Sequence, residues 1–134
     1  MRAPKAAAAA VEDAAEKYPF LVIPEESEIY TEDDIHAAVD VIMEEFNTWK
    51  GCEMHEIRYA GDEANSEENL EWLNNISIHR KGRGDYTQCV EFLSDFHSPI
   101  EAYGSWEADT EYEDYQWWLA RVEDGDWNLL SWGY

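Results

Sequence analysis

Apolar positions change their spacing along the chain, and each change marks a different element. Ile35, Ala38, Val39, Ile42, Met43, Phe46 and Trp49 recur at helical intervals as one continuous stripe, while Asp40, Glu44 and Glu45 fall largely on the opposite side. Thr31 stands before Glu32, Asp33 and Asp34, a capping residue followed by carboxylates where the helix dipole favours them, and Gly51 follows Trp49 as a terminator. From Cys52 to Gly61 the pattern alternates, with Cys52, Met54 and Glu56 on one side and His55, Ile57 and Tyr59 on the other, which predicts a strand. Ser66, Glu67 and Glu68 then open a second, shorter helix whose buried stripe is Leu70 and Leu73.

The stretch from Ile76 to Phe96 holds a turn-rich centre, Lys81 to Asp85, between two β-prone pieces, and predicts a hairpin there. Its Arg83-Gly84-Asp85 tripeptide is ordinary turn chemistry. Ser98 to Asp114 reads as a long loop carrying Pro99, Gly104 and Trp106. The end of the chain alternates again around Asp124-Gly125, a two-residue turn signal that sets Val122 opposite Trp127, Leu119 opposite Leu130 and Trp117 opposite Trp132. That register predicts one face of Tyr115, Trp117, Leu119, Leu130, Trp132 and Tyr134, and another of Trp118, Ala120, Val122, Trp127 and Leu129. Both are apolar, so both require cover. Helices on the concave side, and protein or a partner such as a second copy of the chain on the outer face, meet that requirement.

The 134 residues are the size of one domain, with residues 31–134 as its body and residues 1–30 as an N-terminal helix, linker or tail. Nine basic residues against 31 acidic ones give a formal charge of −22, which repels phosphate backbones and anionic lipid and argues against nucleic-acid or membrane binding. It suits a basic partner instead. No apolar run is long enough to span a membrane, and the alanine-rich start is interrupted by Glu12 and Asp13, so it does not read as an export signal. Cys52 and Cys89 lack the spacing of a zinc site, and both free thiols and a disulfide remain open for them. His36 with Asp40, and the Asp124-Gly125-Asp126 turn, fall short of any recognised metal-ligand spacing, so neither a metal nor a cofactor is implied.

The order helix, strand, short helix and three longer strands, together with "AVDVIMEEFNTWKGCEMHEIRYAGDE", "SDFHSP" and the closing "WWLARVEDGDWNLLSWGY", resembles the nuclear transport factor 2-like superfamily. In particular it is similar to uncharacterised, often lipid-anchored secreted proteins of gut Firmicutes. The resemblance covers roughly Thr31 to Tyr134. It implies an α+β fold in which a curved antiparallel sheet wraps around helices into a cone with a pocket at its open end, and a location in the cell envelope. The lipid-attachment cysteine of anchored members has no counterpart, because Cys52 is the first cysteine. Relatives with this frame include isomerases, dehydratases and cyclases as well as domains that only bind, so the frame does not choose a role.

An enzyme of that kind needs a base in an apolar pocket and a donor for the developing oxyanion. Asp95 and His97, which alternate on one strand side, are the candidates for catalysis, although Asp95 as a turn cap and His97 bonded to backbone is the favoured account of the same residues. The aromatic residues carry the competing expectation: Tyr103, Trp106, Tyr115, Trp117 and Trp132 would line a ligand-binding site for an apolar, carbohydrate-like or peptide ligand. The reading that follows is a binding or interaction module for an unidentified small molecule or protein. A small pocket enzyme, and an acidic inhibitor of a basic protein, are the alternatives.

Overall fold

The computed structural model describes residues 18–101 and 106–134. The expected N-terminal helix or tail before Tyr18, and Tyr103, lie outside the described residues. Along the chain come β1 (Leu21–Val22), α1 (Glu32–Phe46), β2 (Glu53–Tyr59), a 3-10 turn (Asp62–Ala64), α2 (Glu67–His79), β3 (Gln88–His97), β4 (Glu111–Arg121) and β5 (Asn128–Gly133). The strands form a single open sheet in the order β1-β2-β3-β4-β5. It is mixed rather than wholly antiparallel, because β1 runs parallel to β2.

Helix α1 starts where its sequence says. The Thr31 hydroxyl accepts from the Asp34 N–H at 3.1 Å while the Asp34 carboxylate accepts from the Thr31 N–H at 2.9 Å, so two of the donors that a helix start leaves unpaired are satisfied. Its apolar stripe, Ile35, Ala38, Val39, Ile42 and Phe46, is fully buried against Ile57, Tyr59, Val90, Phe92, Phe96, Trp117 and Leu119 of the sheet. Each large side chain in that stripe contributes roughly 1.5–3 kcal/mol relative to exposure. The helix ends at Phe46, earlier than the stripe suggested, and Trp49 belongs to the turn that follows. That turn closes on Gly51 at φ +79°, where a Cβ would stand 2.7 Å from the Pro99 Cβ, so only glycine fits.

Helix α2 covers the other side of the sheet. Leu73 and Tyr86 pack with Cys89, Ala120 and Leu130, whose positions on β3 to β5 alternate with those facing α1, and Trp72 meets Trp118 edge to face at 5.3 Å. The expected arrangement, helices together on a concave side, is therefore replaced by one helix on each face. Helix α2 also runs through Ile76 to His79, the first β-prone piece of the expected Lys81–Asp85 hairpin. Sequence preference alone does not separate a short apolar helix end from a strand, and here Ser77 is drawn into the interface and buried. That turn leads from α2, not from a strand, into β3, and Arg83 bonds Asp85 within it at 2.6 and 2.9 Å.

Three bulges decide which side chains share a face. On β2 the extra residue is His55, between the pairs Met54↔Phe96 and Glu56↔Asp95, so Met54 joins Ile57 and Tyr59 against α1, not opposite them. On β4 an extra residue lies between Tyr112 and Tyr115, which pair with Phe96 and Ser94. On β5 it is Leu130. The pair Trp117↔Trp132 follows the expected hairpin register, but beyond the bulge Leu119 pairs with Leu129, not Leu130. Leu130 consequently turns to the α2 side, and Leu129 and Trp127 turn to the α1 side, reversing their expected placement.

Candidate functional site

Away from the residues that pack on α2, the second sheet face is charged. Arg58 on β2 stands at the centre of one cluster. Its guanidinium forks onto the Asp95 carboxylate at 3.0 and 3.1 Å, and also reaches Glu56 at 2.5 Å and Asp114 at 2.5 Å. Asp114 occupies the β4 bulge at φ +56°, and its N–H donates to Asp95 at 3.1 Å. Asp95 thus accepts the amide that the bulge withdraws from the ladder. The Arg58 hydrogen bonds first of all, and then the Asp114 amide, hold the Asp95 carboxyl below its ordinary range. An acid stabilised in its ionised form by a bidentate arginine is a poor proton acceptor at neutral pH.

The second candidate base lies nearby in a separate arrangement. His97 places Nε2 at 2.7 Å from Asp109 and Nδ1 at 3.0 Å from one Glu111 oxygen, while His55 places its Nδ1 at 3.0 Å from the other. The two imidazoles lie nearly parallel, with centroids 6.1 Å apart. Both nitrogens of His97 face carboxylates, which only the doubly protonated ring satisfies, and Asp109 followed by Glu111 raises its pKa. Both expected bases therefore have their polar atoms engaged by neighbouring side chains. Among the described residues no group of three or more His, Cys, Asp or Glu is arranged to hold a metal ion.

The expected aromatic residues converge on the α1 face. Trp49 is their hub, with its ring centroid 4.8 Å from Trp106, 5.0 Å from Trp117, 5.7 Å from Phe96 and 5.9 Å from Tyr115. Trp106 also packs edge-on against Phe96 and Tyr112, and Tyr112 stacks on Phe96 at 5.1 Å. These contacts make a depth gradient. Trp117 is fully buried, with its indole N–H donating to Ser94 Oγ at 2.8 Å, and Tyr115 is buried enough that its phenol is pushed up to about 12. Trp106 and Tyr112 are half-buried. Trp132, over Trp117 at 6.3 Å, and Tyr134, over Tyr115 at 5.3 Å, are 40% and 74% exposed.

Sequence reading named Trp106, Tyr115, Trp117 and Trp132 and missed Trp49, Phe96, Tyr112 and Tyr134. Trp49 looked like the last member of a helical stripe, and Tyr112 lay before a bulge that reverses the parity of β4. Arg58, the partner of Asp95, carried no signal beyond its place on an alternating strand. The chain matches no family model, no curated protein and no solved structure.

Proposed function

We propose that the protein is a non-catalytic binding or interaction module, and that its contact surface is the exposed margin of the aromatic assembly formed by Trp106, Tyr112, Trp132 and Tyr134. The observation that carries this reading is the continuity of rings from the buried Trp117 to the exposed Trp132 and Tyr134. A rigid aromatic platform offers stacking area at little conformational cost, because the inner rings already fix the outer ones. The isomerase or dehydratase alternative has less support, since the Asp95 carboxylate is committed to Arg58 and to the β4 bulge. A nuclear transport factor 2-like frame and a place in the bacterial cell envelope belong to the same proposal on the sequence resemblance alone, and the mixed sheet with a helix on each face departs from the cone that the resemblance implies.

The test is indole and ring NMR during titration with a panel of soluble oligosaccharides and peptides. Binding is expected to shift the Trp132 and Tyr134 resonances while leaving the Trp117 N–H in place, and the Trp132→Ala, Tyr134→Ala double variant is expected to lose the response. Responses centred on Arg58 and Asp95, or binding undiminished in the double variant, would overturn the reading.

A further inference from the structure

We propose that the partner is an extended peptide bearing lysine or arginine, added to the sheet as a strand along β5 with Trp132 and Tyr134 as its side-chain contacts. The inference names the partner of the aromatic surface proposed above and rests on that reading. Among the described residues, β4 is the only strand beside β5. A strand with one neighbour turns part of its backbone N–H and C=O groups outward, a ready template for another extended chain.

Sheet edges of that kind are ordinarily protected by charge or proline on the strand itself. β5 reads Asn128-Leu129-Leu130-Ser131-Trp132-Gly133, without a charged residue or a proline, in a chain that is 30% charged. Two features reduce the template without abolishing it: the bulge at Leu130, and Arg80, the residue that caps the end of α2, which donates to the Leu130 carbonyl at 2.7 Å. The remaining edge is flanked by Trp132 and Tyr134, both well exposed.

Charge selects the occupant. A second copy would bring its own −22 to the contact, whereas a cationic segment is drawn to the chain by the same field. Burial and then Tyr112 raise the Tyr134 phenol most, the Glu113 backbone N–H acts against them, and the charges of Asp114, itself paired with Arg58, and of Glu113 add smaller upward contributions. An aromatic face on a chain of this charge attracts an ammonium or guanidinium group both through its quadrupole and through the long-range field. Alternate side chains of an added strand point to the same side, so a peptide with cations at every second position presents them together to Trp132 and Tyr134.

Two synthetic peptides of about eight residues, alternating lysine with valine or glutamate with valine, test this by amide hydrogen exchange and NMR on the intact chain. The lysine peptide is expected to slow exchange of β5 amides, to shift Trp132 and Tyr134, and to bind at least ~10-fold more weakly at high salt than at low. The glutamate peptide is expected to do none of these. Trp132→Lys, which puts a charge on the edge at an exposed position, is expected to abolish the effect while circular dichroism stays unchanged. Shifts of Trp132 and Tyr134 without protection of β5 amides would refute strand addition and leave the aromatic surface standing. Equal binding of both peptides would refute the charge argument, and concentration-dependent protection of β5 without peptide would identify a second copy as the occupant. No response of Trp132 or Tyr134 to either peptide or to the wider panel would overturn the binding reading itself.

Discussion

Trp117→Ala separates a structural tryptophan from a displayed one. Trp117 is fully buried between Trp49, Tyr115 and Trp132, and its indole donates to Ser94, which is itself fully buried. Truncation to alanine removes the ring and leaves a cavity beneath α1, a change that costs roughly 3–5 kcal/mol. With a urea slope of about 2 kcal/mol per molar, the unfolding midpoint falls by about 2 M. Trp117→Phe keeps most of the packing and deletes the N–H, leaving Ser94 Oγ its 3.3 Å bond to the Tyr115 carbonyl, so a smaller loss, on the order of 1–3 kcal/mol, is expected. Trp132→Ala removes a ring that is 40% exposed, and its cost should stay under about 1.5 kcal/mol. Urea unfolding followed by far-ultraviolet circular dichroism measures all three without relying on indole emission. A midpoint for Trp117→Ala no lower than that for Trp132→Ala would refute the depth gradient, and with it the division of the aromatic residues into support and surface.

Two further outcomes follow from the polar groups. Because Asp109 and Glu111 raise the pKa of His97 in the folded chain, its stabilising effect is fully present below the unfolded imidazole value of about 6.5 and disappears as pH rises through the higher folded value. Imidazole NMR titration should show Asp109→Asn lowering the His97 midpoint, and a wild-type midpoint at or below that of the variant would contradict the geometry. Cys89 is buried on the α2 side, donates to the Ala64 carbonyl at 3.1 Å and is pushed by burial up to about 11, whereas Cys52 packs on the α1 side. A thiol reagent at pH 8 should therefore spare Cys89 until denaturant is added and then find both thiols free. A protein yielding no reactive thiol in denaturant without reductant would mean a disulfide instead.

Local chemistry in the sequence determined where most elements begin and what they are. Thr31 with Asp34, and Ser66 with the Asn69 amide, start their helices through contacts spanning three residues, and such contacts are readable without knowing the fold. The apolar stripe of α1, the strand at Glu53–Tyr59 and the final hairpin were legible for the same reason. The tertiary structure decided which face each strand residue occupies and what covers it. An extra residue at His55, between Tyr112 and Tyr115, and at Leu130 reverses a period-two pattern, and each position is chosen by a partner far along the chain. Asp95 shows the consequence, since it was read as a possible base and instead receives the amide of Asp114, nineteen residues away. The aromatic assembly has the same origin: ring periodicity predicted walls, but only the packing of a helix on each side of the sheet determined which rings were enclosed and which were left in water.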